Sequence, residues 1–461
     1  MKSAHILFAI LLVSCLYILA IGNAGCAQIG SPTGGPKDTI PPRITHASPQ
    51  LGSTNVTSNK ITLNFNEYVE LKDPQTNVLI SPLPKKNPTV EYKLRTVTVK
   101  LKDSLLPNTT YSINFGNAIV DINEGNPLKD FVYVFSTGSQ IDTLMITGKV
   151  VIAENGKTDS TLVAMLYRNA DDSAVQKRRP DYMARLSGDG SFNFVNLPAG
   201  NFKVYALKDG DGGRTYNSKK EMFAFADAPI TVSENTTPVV LYASALEKES
   251  RPSTRPAAPN KKLVYNVAPG GQLQELTSPF ELSFNNPLKT FDPTKLILRD
   301  TNNNPVPRTA WTIDSSRTKI RLTSTWPEAT EYRLIMDTTA FSDSLNHHIA
   351  KADTIRFTTK QLSDYGNVVL RFSNLDLSKH PVLQLVQGEE VKLSIPITSN
   401  EWKNKYILPA EYEIRILFDD NNNGRWDPGD YSKKRQPEKA ITLSQKLSIR
   451  ANWDNERDIK L

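Results

Sequence analysis

The sequence predicts an all-β protein built from tandem β-sandwiches in two repeated two-domain units. Three observations carry that prediction. From residue 40 onward, short runs such as Lys60-Ile61-Thr62-Leu63-Asn64-Phe65-Asn66, Thr96-Val97-Thr98-Val99-Lys100-Leu101 and Tyr111-Ser112-Ile113-Asn114-Phe115 alternate with period two. Such runs are half-buried strands. Pro, Gly, Asn and Asp divide them, and no amphipathic pattern of ten or more residues interrupts them. Finally, the pattern occurs twice. Ile61-Thr62-Leu63-Asn64-Phe65-Asn66 corresponds to Phe280-Glu281-Leu282-Ser283-Phe284-Asn285, Tyr111-Ser112-Ile113 to Tyr332-Arg333-Leu334, and Phe131-Val132-Tyr133-Val134-Phe135-Ser136-Thr137 to Asp353-Thr354-Ile355-Arg356-Phe357-Thr358-Thr359, at offsets of 219 to 222 residues. Leu197-Pro198-Ala199 then corresponds to Leu408-Pro409-Ala410, and Val204–Asp209 to Ile414–Asp419. A length of 461 residues alone suggests about three domains. The repeat raises the count to four.

The N-terminus is read as a lipoprotein signal over residues 1–25. Lys2 supplies the positive end, residues 5–21 are almost wholly apolar, and the small pair Ala24-Gly25 stands directly before Cys26. This resembles a bacterial lipobox, although Asn23 takes the position where Leu is preferred. The resemblance implies diacylglyceryl transfer to the Cys26 sulfur, cleavage before Cys26 and acylation of the new amino group. Leu12-Val13-Ser14-Cys15 fits the four-residue pattern better, but cleavage there leaves the apolar run 16–21 on the mature chain. Cys26 is therefore the expected anchor. With Cys15 discarded and Cys26 lipidated, no disulfide remains to hold the fold. Several acyl chains give stable membrane attachment where one chain would not. Residues 26–39, rich in Gly, Pro and Ser, form a tether.

The first domain spans 40–138. Its opening Pro41-Pro42-Arg43-Ile44-Thr45-His46-Ala47-Ser48-Pro49, the strand ending Asn64-Phe65-Asn66-Glu67, the turn Leu106-Pro107-Asn108-Thr109-Thr110-Tyr111 and the closing Phe135-Ser136-Thr137 resemble SbsA-type bacterial Ig-like domains. Residues 262–360 are a divergent copy, with Asn285-Asn286 where the first has Asn66-Glu67. Lipobox, tether and this domain together resemble Bacteroidetes envelope lipoproteins. That resemblance implies an Ig-like sandwich and no catalytic residues.

The second domain type spans 139–245 and 361–461. Ser187-Gly188-Asp189-Gly190-Ser191-Phe192-Asn193-Phe194 reads as a hairpin, and Leu197-Pro198-Ala199-Gly200 turns into the next strand. This resembles transthyretin-like and collagen-adhesin B-type sandwiches. Residues 246–261, with Pro252, Pro256 and Pro259, form the linker between the units.

The loop 419–430 carries the sharpest chemical signal. It places side-chain oxygens of Asp419, Asn421 and Asn423 at loop positions one, three and five, Gly424 at six, Asp427 at nine and Asp430 at twelve. That spacing can wrap oxygens around one Ca²⁺. Two features depart from the usual loop: Asp rather than Glu ends it, and no helices flank it. An Asn/Asp-rich turn without an ion fits as well. In the first copy Asp209, Asp211 and Asn217 are present but Gly213 and Lys220 break the pattern, and a plain turn is expected.

Composition excludes several classes. Hydrophobic residues make up 39% of the chain, too many for disorder, and a net charge of +7 is small for this length, so no nucleic-acid partner is expected. No H-E-x-x-H, G-x-S-x-G, P-loop or G-x-G-x-x-G motif occurs. His347-His348 is expected in a surface turn equivalent to 121–126. The pair Glu389-Glu390 would serve hydrolysis only opposite another acid. A non-enzymatic envelope spacer or protein-interaction scaffold follows, with an envelope protein or glycan as partner. The alternative is a carbohydrate-binding lipoprotein that uses Trp311, Trp326, Trp402, Trp426 and Trp453, all in the second unit. Ala27 in place of an inner-membrane retention Asp favours the outer membrane. The lack of an acidic run after Cys26 favours the periplasmic face over the cell surface.

Overall fold

A computed structural model describes residues 11–14, 37–247, 262–268, 273–306 and 309–461. The expected signal cleavage site, the lipidation at Cys26 and most of the two linkers lie outside the described residues. Among the described residues no helix is long and apolar enough to cross a membrane.

The chain is nearly all β. The first domain contains β1 (Ile44–Ser48), β2 (Lys60–Phe65), β3 (Val69–Leu71), β4 (Leu79–Ser81), β5 (Thr89–Lys93), β6 (Thr96–Lys100), β7 (Thr110–Gly116), β8 (Ile119–Asp121) and β9 (Phe131–Ser136). They form sheets in the orders β1-β2-β6-β5 and β4-β7-β9, with β3 paired to β8. The period-two alternation sends Ile61, Leu63, Val97 and Val99 from one sheet and Ile113, Phe115, Tyr133 and Phe135 from the other into one core.

The second domain contains β10 (Leu144–Ile152), β11 (Val163–Arg168), β12 (Tyr182–Arg185), β13 (Ser191–Leu197), β14 (Gly200–Leu207), β15 (Phe223–Phe225), β16 (Ile230–Val232) and β17 (Val239–Ala243). Sheet β13-β10-β17 packs on sheet β12-β11-β14-β15, and β16 also pairs with β14. The turn expected at 187–191 closes through Ser187 N–H to Ser191 O at 2.8 Å. The strands it joins do not pair as a hairpin, because β12 and β13 belong to opposite sheets. Tyr182, Ala184 and Leu186 face Phe192, Phe194 and Leu197 across the core instead. Burying both apolar sets outweighs the local pairing that the turn alone suggests.

The third domain contains β18 (Tyr265–Ala268), β19 (Leu273–Gln274), β20 (Phe280–Phe284), β21 (Leu288–Phe291), β22 (Leu296–Asp300), β23 (Ala310–Ile313), β24 (Lys319–Thr323), β25 (Glu331–Met336), β26 (Phe341–Asp343) and β27 (Asp353–Thr359). The fourth contains β28 (Gly366–Ser373), β29 (Pro381–Gln387), β30 (Glu390–Pro396), β31 (Glu401–Ile407), β32 (Ala410–Phe418), β33 (Ala440–Thr442), β34 (Leu447–Ile449) and β35 (Asp454–Lys460).

The second unit repeats the first strand for strand. The orders β18-β20-β24-β23 and β22-β25-β27, with β21 on β26, match the first domain. The orders β31-β28-β35 and β30-β29-β32-β33, with β34 on β32, match the second. The one added strand, β19, lies parallel to β27. In the first domain irregular backbone does the same work, since Gly52 N–H donates to Val134 O at 2.9 Å and Ser136 N–H to Ser53 O at 2.8 Å.

Candidate functional site

Strand β32 delivers Asp419 into the acidic loop, and β33 takes the chain away from it. Asp419 is buried, with Oδ1 accepting from Asn423 N–H at 3.1 Å and Oδ2 from Gly424 N–H at 2.6 Å. Gly424 sits at φ +74°, where a side chain would be strained. Asn421 Oδ1 accepts from Asn423 N–H, and Asn423 Oδ1 from Arg425 N–H. Both side-chain amides donate to Asp427 Oδ2. Four of the five residues read from the spacing therefore meet in one hydrogen-bonded loop.

Asp430 does something else. Its Oδ1 accepts from Ser432 N–H at 3.1 Å and Ser432 Oγ at 2.6 Å, capping a short 3₁₀ turn over Tyr431–Lys433. The Ser432 hydroxyl, with Lys433 nearby, holds its carboxyl below the usual carboxylate range. The acid that joins the loop is Glu438, beyond the twelve-residue pattern. Its two oxygens accept from Asp420 N–H at 3.0 Å and Asp427 N–H at 2.9 Å. Burial, reinforced by the charges of Asp419 and Asp427, pushes its carboxyl up. The side-chain oxygens here are of the kind calcium takes, but among the described residues Asp419, Asp427 and Glu438 do not bring their carboxylate oxygens within 4.8 Å of one another.

The acids that converge lie instead in the first copy of the loop, where a plain turn was expected. Asp209, Asp211 and Glu221 bring carboxylate oxygens within 4.8 Å of one another. Asp209 repeats the role of Asp419, accepting from Gly212 N–H at 2.9 Å and Arg214 N–H at 3.0 Å. Glu221, like Glu438, lies after the loop and was not singled out by spacing.

The 3₁₀ turn that Asp430 caps enters the second domain. Tyr431 lies among Tyr205, Tyr216, Phe223 and Phe225, with ring centroids 5.1 to 6.4 Å away and mostly edge to face. Its hydroxyl donates to Asp172 O at 2.7 Å and meets the Tyr205 hydroxyl at 2.8 Å. Lys434 lies 4.0 Å over the Tyr431 ring and pairs with Asp172 at 2.9 Å. Burial pushes the Tyr205 hydroxyl up to about 12.

Around this plug runs a seam of direct bonds. Ala440 N–H donates to Ala153 O at 2.8 Å, Thr442 Oγ1 to Asn155 O at 2.5 Å, and Gly429 N–H to Ser244 Oγ at 3.0 Å. Gln436 Nε2 reaches Phe225 O and Asp227, and Lys157 pairs with Glu413 at 2.9 Å. Gly156, at φ +69°, lets the backbones meet, for a Cβ there would stand 2.8 Å from Ala440 O.

Joints within each unit are also bonded. Leu83 N–H donates to Asp181 O at 2.7 Å, and Arg185 reaches Thr76 O and Asn77 O. Tyr365 Oη donates to Glu275 Oε2 at 2.7 Å and accepts from Leu276 N–H at 2.8 Å. Between the first and second domains an open cleft of about 940 Å³ is bordered by Asn77, Asn114, Lys149, Arg185 and Asn193. Asp130 is the one acid in its lining, so it offers no pair of carboxylates for glycoside hydrolysis. Glu389 and Glu390 are exposed at the turn between β29 and β30.

The His347 turn matches 121–126. Asp343 Oδ1 accepts from Leu345 and His347 N–H, and Oδ2 meets Asn286 Nδ2 and His347 Nδ1. Asp121 likewise accepts from Glu124, Gly125 and Asn126 N–H. The tryptophans do not share a surface. Trp326 and Trp402 are core residues of the third and fourth domains, Trp311 packs on the former, Trp426 packs on Val382, Leu417 and Ala440, and Trp453 alone is largely exposed.

Residues 38–137 match the family model of a bacterial Ig-like domain. The match takes in the first domain, whose sheets β1-β2-β6-β5 and β4-β7-β9 recur in the third. No curated protein matches the chain. Solved structures similar to it include native alpha-2-macroglobulin from Escherichia coli spanning domains MG0-NIE-MG1, 14% identical over 40% of this chain and 72% of that one, with a TM-score of 0.21. The N-terminal part of the bacterial S-layer protein SbsC is 14% identical over 45% of each chain, with a TM-score of 0.16. The Bacillus anthracis TIE protein is 10% identical over 93% of this chain and 75% of that one, with a TM-score of 0.17. At these scores nothing about arrangement or activity rests on them.

Proposed function

We propose that this is a non-enzymatic, lipid-anchored cell-envelope protein, held at the outer membrane with its domains on the periplasmic side, and working as a protein-interaction scaffold. The observation that carries the scaffold reading is the seam. Tyr431 plugs the fourth domain into the second, so the two units fold back on each other instead of extending end to end. A chain whose task was reach alone would gain nothing from such a contact, whereas a bonded cluster of sandwiches holds loops from different domains in fixed relation. The anchor reading is supported by the residues around Cys26, and the envelope setting by the bacterial Ig-like match.

Crosslinking in native membranes tests the proposal. A reproducible envelope protein should be captured by the parent chain and lost with Cys26→Ala. Continued palmitate labelling of that variant would overturn the anchor. An extended particle in small-angle scattering would overturn the folded-back scaffold. Calcium at 419–430 belongs to the same reading, with Asp419, Asn421, Asn423 and Asp427 as its holders and Asp430 kept for the cap. The ion would stiffen the loop that presents Tyr431.

A further inference from the structure

The outer face of the sheet β22-β25-β27 carries a row of like charges. Register pairs Arg299 with Arg333, and Arg333 with Arg356. Three guanidinium side chains thus stand across three adjacent strands, about 5 Å from strand to strand. The next row on the same face is Ile297, Ile335 and Thr354, with Ile297 41% and Ile335 36% exposed. Like charges directly opposite each other weaken a sheet, and nearby groups offset little of this. Arg299 gives one Nη to Asn303 O at 2.6 Å. Glu331, the acid beside the row, stays 3.8 Å from Arg333 Nε, and that Nε is buried without a hydrogen-bond partner. Arg356 is exposed and makes no hydrogen bond or ion pair among the described residues.

The first domain shows that the fold does not need this row. Register places Ser81, Ser112 and Val134 at the same three positions. The arginines therefore answer to something outside the sheet.

We propose that this face docks on a membrane surface, with Arg299, Arg333 and Arg356 holding the phosphates of anionic lipid headgroups and Ile297 and Ile335 entering the headgroup boundary. A guanidinium presents its donors in a planar fork that fits two phosphate oxygens at once. Cations beside exposed aliphatic side chains suit an interface that is charged above and apolar below. Ile297, Ile335, Thr354 and Arg356 are exposed on this face and Arg299 and Arg333 half-buried, so a surface outside the chain can reach it. The choice of a membrane rests on the lipid-anchor reading, because a tethered chain meets its own bilayer at high effective concentration. Each arginine is then expected to strengthen attachment about fivefold.

The test uses residues 37–461, which contain all four cores and lack Cys26. Co-sedimentation compares vesicles of mixed phosphatidylglycerol and phosphatidylcholine with vesicles of phosphatidylcholine alone. Binding to the anionic vesicles, weakened by salt and absent on the neutral ones, is expected. The triple variant Arg299→Ser, Arg333→Ser, Arg356→Val carries the first domain's residues and should bind on the order of a hundredfold more weakly while melting no lower than the parent. Arg356→Val alone, at the most exposed of the three, should lose about fivefold and serves if the triple variant misfolds. Equal binding by parent and variants, or equal binding to neutral vesicles, overturns the proposal. So does displacement by millimolar inorganic phosphate, which would make this a free-phosphate site, or by poly-aspartate more strongly than by vesicles of equal charge, which would point to an acidic protein. Since this chain has no lipid, failure here is distinct from failure of the anchor, which Cys26→Ala labelling reads by itself.

Discussion

Tyr431 Oη of the fourth domain and Tyr205 Oη of the second lie 2.8 Å apart, inside a buried cluster of aromatic rings. The pair joins the two repeated units at a point where the repeat is broken. The register position of Tyr205 is taken in the fourth domain by Arg415, and those of Phe223 and Phe225 by Ala440 and Thr442. The aromatic pocket belongs to one copy and the plug to the other, so the contact cannot be exchanged between them.

Removing the plug should separate the units without unfolding them. Tyr431→Phe keeps the ring and leaves Tyr205 Oη and Asp172 O unpaired, at a cost of about 1–2 kcal/mol. Tyr431→Ser empties the pocket and should cost about 3–5 kcal/mol of docking. Small-angle scattering should show a larger radius for Tyr431→Ser, and hydrogen exchange should rise at Ala440 and Gly429, whose N–H groups bond across the seam. Unchanged exchange there would mean the seam stands without its plug.

Asp343 gives the third domain an acid-sensitive point. Burial alone would raise its carboxyl, but the N–H groups of His347 and Leu345, with Asn286 and the His347 ring, bring it down to about 2 from the ordinary 3.8. A carboxyl depressed in the fold contributes stability that is fully present above about pH 4 and is lost as pH falls toward 2. Asp343→Ala should destabilise this domain by about 2–4 kcal/mol at neutral pH. Its stability should also fall less than the parent's between pH 4 and pH 2, read by urea unfolding at each pH. Parallel pH curves for the two chains would show that Asp343 is not the group responsible.

Calcium should raise the melting temperature of the full chain and a chelator should reverse the effect, with Asp419→Asn and Asp427→Asn abolishing the heat seen in isothermal titration. Asp430→Asn should leave calcium binding nearly intact and, since an Asn oxygen accepts as an Asp oxygen does, keep the 3₁₀ cap as well, whereas Asp430→Ala should weaken the cap by about 1 kcal/mol. If Asp430→Asn abolishes binding as fully as Asp419→Asn, the loop rearranges on binding and Asp430 becomes a ligand. If no heat and no stabilisation appear with the parent chain, 419–430 is a turn that needs no ion.

The strands were legible because each alternates apolar and polar residues against one core, as in β2, where Ile61, Leu63 and Phe65 point inward. The repeat was legible because equivalent strands keep that alternation at a near-constant offset. Contacts between domains leave no period. Tyr205 and Tyr431 lie on separate elements, and only their proximity in the fold makes them a pair. Glu438 lies beyond the twelve-residue spacing, and only the fold returns its carboxylate to the N–H groups of Asp420 and Asp427. The fate of Asp430 did have a signal. Asp followed two residues later by Ser or Thr caps short 3₁₀ turns at Asp292, Asp337 and Asp376 as well, each accepting from the N–H two residues on. The charged row on β22, β25 and β27 required the register, since Arg299, Arg333 and Arg356 are unremarkable one at a time.

Gly156 offers the most selective test of the seam. Its φ of +69° and the 2.8 Å distance from an added Cβ to Ala440 O mean that Gly156→Ala must both strain its own turn and push the fourth domain away. The strain costs about 1 kcal/mol within the second domain. The displacement falls on the bonds from Ala440 to Ala153 and from Thr442 to Asn155. Gly210 and Gly212 give the control, because a Cβ at either meets nothing within 4 Å, although Gly212 shares a positive φ of +77°. Gly212→Ala should therefore show the local strain alone, and Gly156→Ala the strain plus a loosened seam. Calorimetry resolves the two, since a loosened seam splits the transition of the second and fourth domains while local strain only lowers it. Identical profiles for the two variants would mean that the backbones at Gly156 and Ala440 do not need to touch.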